Sequence, residues 1–227
     1  MENKYSESYE ILKNSYENFF EGENNKPSFT FFEGSKKVIF SCPHAVNQTR
    51  KGKTKLADVN TGPLGLALNQ LGYPVLIKTK NCNDDANYDL ISDYKKYLKK
   101  IIKNKCYYFC VDLHGLSAKR DILFCLGTNF GKNLNKNIDF AKIFFDIAQK
   151  NNFPKDLISV DNPFHAPFRT VSNFVHRHSK ISAIQIEINS RIFKSEEQTI
   201  SLLKTLDEYA TYIEKNLYKN NSEDLSL

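Results

Sequence analysis

The stretch YYFCVDLHG, Tyr107–Gly115, decides how the chain folds. Tyr107 to Leu113 is, Asp112 apart, aromatic, β-branched or apolar with little polar alternation, the pattern of a strand covered on both faces. Asp112 and His114 arrive only at its carboxyl end, and because side chains alternate along an extended segment the two project to one face. Gly115 follows and permits a close backbone approach or an unusual φ.

Working outward, Ile122 to Leu126 reads as a second central strand. Further strands are expected at 29–33, 37–42, Pro74 to Lys78, Leu157 to Val160 and Ala183 to Ile188, with Gly34-Ser35 turning the first two into an opening hairpin. Apolar residues recur every three to four positions over 5–20, from Tyr5 to Phe19–Phe20, and predict an amphipathic helix. Helices are also expected at 61–72, capped by Thr61 with Pro63 in its first turn, and at Asn87 to Lys103, Ile138 to Lys150 and Glu196 to Tyr218, with a frayed C-terminal end. Strands thus alternate with helices. That pattern predicts one domain over 1–227, a three-layer α/β/α arrangement around a central mixed, largely parallel sheet, with helices 5–20 and 196–218 packed on it. In such sheets ligands gather beyond the carboxyl ends of the strands.

A length of 227 residues suits one medium core, and 41% hydrophobic with 26% charged residues is the balance of a soluble globular chain. No stretch approaches a membrane span, and the polar start Met1-Glu2-Asn3-Lys4 lacks the apolar region of a secretory signal, so a cytoplasmic protein is expected. The net charge of +6 raises the question of nucleic acid. The lysines are scattered, however; the nearest run is Arg50-Lys51-Gly52-Lys53-Thr54-Lys55, and no aromatic-rich basic motif accompanies it. The excess reads as a solvated basic surface that favours an anionic small-molecule or peptide-like substrate, with neither nucleic acid nor membrane as partner. Five cysteines (Cys42, Cys82, Cys106, Cys110 and Cys125) are an odd number without disulfide-like spacing, so reduced thiols are expected. Cys110 and Cys125 lie in apolar runs and read as packing residues, and the absence of any CxxC pair argues against a structural zinc knuckle.

Two other strand ends carry chemistry. In VIFSCPHA, His44 lies just past the strand, at an exit stiffened by Pro43. In AIQIEIN, Ile184, Ile186 and Ile188 share one face and Gln185, Glu187 and Asn189 the other. An unpaired carboxylate in so apolar a strand is costly, so Glu187 calls for a metal, a cleft or a cationic partner. Asp58, in KLADVNTG, stands just before a helix and taken alone reads as a cap. Two histidines and one carboxylate are nevertheless the usual ligand set of a catalytic zinc. Each residue also has an ordinary structural reading: a hydrogen-bonded histidine, a turn-capping Asp112, a Glu187 paired with lysine. The residues by themselves leave the two readings balanced.

Taken in order, PHA, KGKTKLADVNTG, DDANYD, DLHG, RDILFCLGT, DNPFHAPFRTVS and IQIEIN resemble the N-formylglutamate amidohydrolase family, from about Val38 to Phe193. That family belongs with the zinc carboxypeptidases and aspartoacylases in fold and mechanism. The resemblance implies one zinc ion, or another divalent metal, held by His44, Asp58 and His114, where Asp58 takes a place often filled by glutamate. It implies Glu187 as general base and acid and Arg120 as a residue facing substrate. Asn87 stands where relatives carry an Asn-Arg pair, here without the arginine, and Ala45-Val46 follows His44 where relatives read closer to PHSG. Arg169 is a second candidate for binding a substrate carboxylate, His165 in the same loop a candidate pocket residue, and Asp112 a candidate to orient His114. His176 and His178, flanking Arg177, read as a polar helix end or loop rather than a third metal motif. The implied activity is hydrolysis of an amide bond in a small N-acylated amino acid or related substrate by a metal-activated water. The alternatives are a peptide or cell-wall carboxypeptidase on the same metal site, a basic binding protein without catalysis, and a relative that keeps the fold with a structural metal only.

Overall fold

A computed structural model describes residues 3–16, 27–135 and 139–223. In chain order its elements are α1 (Asn3–Asn14), β1 (Phe29–Phe32), β2 (Val38–Cys42), β3 (Gln48–Arg50), β4 (Lys53–Lys55), α2 (Thr61–Gln70), β5 (Val75–Lys78), α3 (Asp93–Lys105), β6 (Phe109–Leu116), β7 (Phe124–Gly127), α4 (Phe140–Lys150), β8 (Ile158–Val160), α5 (Val171–Ser179), β9 (Ser182–Asn189) and α6 (Glu196–Glu223). Seven strands form one sheet in the order β1-β5-β2-β6-β9-β7-β8, and β3–β4 make a separate hairpin. The centre β5-β2-β6-β9 is parallel, β1 and β7 run against their neighbours β5 and β9, and β8 is parallel to β7.

The run at Tyr107–Leu113 lies where its composition places it. β6 sits between β2 and β9, and its residues alternate between two cores. Phe109, Val111 and Leu113 face the larger core with residues of α1, α2, α4 and α6; Cys110 faces the smaller one with Tyr94, Leu98 and Ile102 of α3 and Val171 and Val175 of α5. Each fully buried side chain of this size contributes roughly 1.5–3 kcal/mol. Helices on both faces make the three-layer α/β/α fold with a mixed, mostly parallel sheet. No described helix is long and apolar enough to cross a membrane.

Four local expectations change. Strands 29–33 and 37–42 are not a hairpin: β5 lies between them, antiparallel to β1 and parallel to β2. Gly34 serves a close approach instead, since a Cβ there would stand 2.4 Å from Pro74 N. The helix expected from Asn87 begins at Asp93, where the Ser92 hydroxyl accepts from Lys95 N, and this leaves Asn87 in the preceding loop. Thr61 is the first residue of α2 rather than its cap; Asn60 holds the cap position without a side-chain bond. α1 ends at Asn14, and the expected helix over 17–20 lies outside the described residues, as do residues 136–138 and the end at 224–227. His176 and His178 do fall in the last turn of a helix, α5. Cys42, Cys110 and Cys125 are buried and all five thiols are free.

Candidate metal centre

The parallel register sets the carboxyl ends of β2, β6 and β9 side by side. Ser41 pairs with Asp112 across β2 and β6, and His114 pairs with Glu187 across β6 and β9. His44 follows β2 at the same end. Asp58 reaches this point from outside the sheet, after the β3–β4 hairpin, and its backbone N–H donates to His44 O at 2.8 Å. It seats against Gly115, where an added Cβ would stand 2.9 Å from Asp58 Cβ. The glycine expected to allow a close backbone approach allows this one.

His44 Nδ1, His114 Nδ1 and Asp58 Oδ2 form a triangle with every side 3.2 Å. Donors about 2 Å from one ion at tetrahedral angles stand about 3.3 Å apart, so the three atoms fit one face of such a site. Among the described residues this set could hold a metal ion. The opposite ring nitrogen of each histidine meets a carboxylate. His44 Nε2 lies 2.7 Å from Asp85 Oδ1, and His114 Nε2 lies 3.2 Å from Asp112 Oδ2. With each Nε2–H donated to its carboxylate, a deprotonated Nδ1 turns its lone pair to the centre, the arrangement in which imidazole ligates metal. Two Nδ1 atoms turned toward each other need a cation between them, a proton or a metal ion.

The surroundings supply negative charge to match. Burial disfavours the His114 cation, but Asp112 and Asp58 outweigh it and take the ring up to about 10. Burial pushes the Asp58 carboxyl upward, while hydrogen bonds to His114 and His44 hold it well below the usual carboxylate range. Its second oxygen accepts from Lys55 Nζ at 2.7 Å. Asp85 and Asp112 are both fully buried. Asp85 Oδ2 accepts from Arg50 Nε at 2.7 Å, and Asp112 Oδ1 accepts from Ser41 Oγ at 2.9 Å.

Glu187 stands beside His114 and is buried. Burial pushes its carboxyl up to about 7, with His114 opposing and Asp58 adding to the rise. Gln185 Nε2 donates to Glu187 Oε1 at 2.8 Å, and Gln185 Oε1 accepts from Asn87 Nδ2 at 3.3 Å. These groups open into a cavity of about 360 Å³, roofed by residues 163–167 and bordered by Arg50, Lys55 and Tyr88. Over the Tyr88 ring stand three cations: the guanidinium carbons of Arg50 at 5.1 Å and Arg169 at 5.4 Å, and Lys51 Nζ at 5.5 Å.

The remaining expected site residues divide. His165 lines the cavity with its ring stacked on Phe130 at 5.3 Å. Asn87 lines it too, but its amide is committed to Gln185 and to Val171 N, whose N–H donates to Asn87 Oδ1 at 2.7 Å. Arg169 is exposed at the rim. Arg120 is exposed outside the lining, its guanidinium 5.2 Å from the centre of the Phe164 ring. His176 Nδ1 bonds Ile181 O at 2.9 Å and His178 packs on Phe174, so neither joins the centre. Asp85, Tyr88, Arg50 and Gln185 received no role from sequence. Gln185 alone carried a local signal, its place on the face of β9 shared with Glu187.

Neither a scan against protein-family models nor a search of curated proteins returns a match. Solved structures do align. One is an N-formylglutamate amidohydrolase from Ralstonia eutropha JMP134, with 12% identity, a TM-score of 0.55, and 83% of this chain and 99% of that one covered. Another is the gene product Atu2144 from Agrobacterium tumefaciens, with 12% identity, a TM-score of 0.56, and 88% and 99% covered. A third is a leucine aminopeptidase precursor from Bacteroides thetaiotaomicron VPI-5482, with 11% identity, a TM-score of 0.51, and 91% and 96% covered. At these identities the likeness is one of fold: the chain shares the architecture of these proteins and carries a candidate metal site at the carboxyl ends of its central strands.

Proposed function

We propose that the protein is a metal-dependent hydrolase that cleaves an amide bond in a small, anionic N-acylated amino acid or a close relative of one. The observation that carries this reading is the pairing of the His44–Asp58–His114 triangle, its Nδ1 lone pairs turned inward, with a buried carboxylate on the next strand. Zinc is the metal this donor set favours. When bound, it would supply Lewis-acid polarisation of a carbonyl and a water acidic enough to react near neutral pH.

The protein's own groups do the rest. Asp85 and Asp112 hold the two imidazoles in the ligating tautomer. Gln185 holds one oxygen of Glu187, which leaves the other to take a proton from water and return it to the leaving nitrogen. Arg50, Lys51 and Arg169 around Tyr88 supply positive charge at the rim for a substrate carboxylate. Arg120, outside the lining, carries no step. A cavity of about 360 Å³ suits a small molecule better than a long peptide. The printed names of two aligned structures, an amidohydrolase and an aminopeptidase, support the same class of bond.

The test is a panel of N-formyl and N-acetyl amino acids, with short peptides as the competing class, assayed on metal-analysed protein with and without chelator. Turnover of the acylated amino acids is expected, lost on chelation and lowered by about 10²–10⁴-fold in Glu187→Gln, with metal retained. Undiminished turnover by that variant removes Glu187 as the base. Preferential cleavage of peptides replaces the substrate class with that of a carboxypeptidase.

A further inference from the structure

Away from the candidate centre, α3 and α5 lie side by side on the smaller-core face and leave a groove of about 680 Å³ between their outer sides. Phe174 forms part of its wall, and Leu90, Ile91 and Phe168, respectively 51%, 67% and 54% exposed, gather at the loops that enter the two helices. Large apolar side chains this exposed and this close together mark a contact surface rather than the scattered exposure of ordinary residues. Most of the rest of the lining is basic: Lys96, Lys99, Lys100 and Lys103 follow one another at helical spacing along α3, and Arg177 faces them from α5, with Asn104 and His178 completing it. Among the described residues no carboxylate lines the groove. Lys96 reaches back to Asp93 at 3.0 Å and Arg177 stacks on Phe168 at 4.3 Å.

Repulsion among so many cations is relieved by a partner that brings anions, and the exposed apolar group is covered by one that brings apolar side chains. From Lys96 to Asn104 the groove follows α3 for about 12 Å, at 1.5 Å per residue. That is room for two helical turns or about four extended residues. A concave trough between helices takes inserted side chains, as grooves that receive amphipathic segments do. We propose that this groove docks a short acidic segment of another protein that carries one or two bulky apolar side chains. The docking is independent of the metal and of the hydrolase reading.

The test is selection of short random peptides on the immobilised full-length protein, in chelator, followed by fluorescence anisotropy with the enriched sequence. Enrichment in Asp or Glu together with Leu, Ile or Phe is expected, with binding that weakens as salt rises. A Lys99→Glu/Lys103→Glu variant is expected to bind roughly tenfold more weakly. Ile91→Ser is expected to weaken binding without changing its salt dependence, and circular dichroism checks that both variants fold. Enrichment without acidic residues, or equal binding by the charge-reversed variant, overturns the proposal. So does charge-dependent binding to phosphatidylserine vesicles with no peptide enriched, which would make the surface a membrane contact.

Discussion

Asp58 and Gly115 compete for the same space, and this makes Gly115 the most exacting residue of the centre. A methyl group there meets Asp58 Cβ at 2.9 Å, and the neighbour it meets is the root of a proposed ligand. Gly115→Ala is therefore expected to leave the fold intact and to weaken metal binding by about tenfold or more, an effect of the size seen when ligand support is disturbed. Calorimetric titration with zinc checks it; unchanged affinity would mean that Asp58 is not a ligand. Asp85→Asn tests the other side of the site. The amide can still accept from His44 Nε2–H, but it brings no charge to polarise the ring, so affinity should fall by about 10–100-fold. For Glu187 the sign follows from its role. A general base works deprotonated, so kcat/KM should rise with pH through its pKa, up to about 7 from burial and lower when a cation lies beside it. Gln185→Leu removes a donor that favours the carboxylate and should move that acidic limb upward. A limb that stays in place would deny Gln185 this influence.

At the scale of elements, local pattern located the strands and left their neighbours open. Tyr107–Leu113 announced a central strand because burial on both faces is written in its side chains. Nothing within 29–42 reveals that β5, some thirty residues on, inserts between β1 and β2, because pairing partners depend on distant chain. α3 misled for a different reason: the apolar spacing extends upstream, while the Ser92 cap starts the helix at Asp93. The outer helices are joined by a device with no local signature. Asp207 of α6 accepts from Lys4 and Tyr5 of α1, from Lys36 and from Tyr73. Burial pushes its carboxyl up, yet hydrogen bonds from Lys36, Lys4 and Tyr73 hold it well below the usual range. A carboxyl lowered on folding stabilises fully above its unfolded value of about 3.9 and loses that contribution as pH falls toward its folded value. Asp207→Asn should cost about 1–3 kcal/mol at neutral pH and much less at the acid end of that window. Urea midpoints of the two proteins at both pH values decide it, and an equal difference at each would contradict the linkage.

Over the whole molecule, the candidate centre was partly legible because its ligands stand at strand exits or beside a helix start, and the parallel sheet brings such exits together whatever the loops do. His44, His114 and Glu187 needed only that rule; Asp58, beside a helix start, read equally as a cap, and the resemblance weighted it toward the ligand set. Asp85 was illegible because its place beside His44 depends on how the loop after β5 meets β3 and the exit of β2, which no periodicity records. The same geometry makes metal binding a property of the assembled chain. The candidate ligands come from segments 14 and 56 residues apart, and only the folded sheet sets their donor atoms 3.2 Å from one another. The unfolded chain has no such site, so metal should bind the native state alone. At a hundredfold excess over Kd it should add about 2.7 kcal/mol of stability, a rise in Tm of roughly 5–10 °C for a chain of this size. The rise should shrink at lower pH, where protons compete for the imidazoles and Asp58. Thermal melts with and without zinc measure it. Glu187→Gln should keep the shift and Asp58→Asn should lose most of it, because in the proposed reaction one carboxylate acts on water and the other on metal. An identical shift in both variants would place the ion elsewhere.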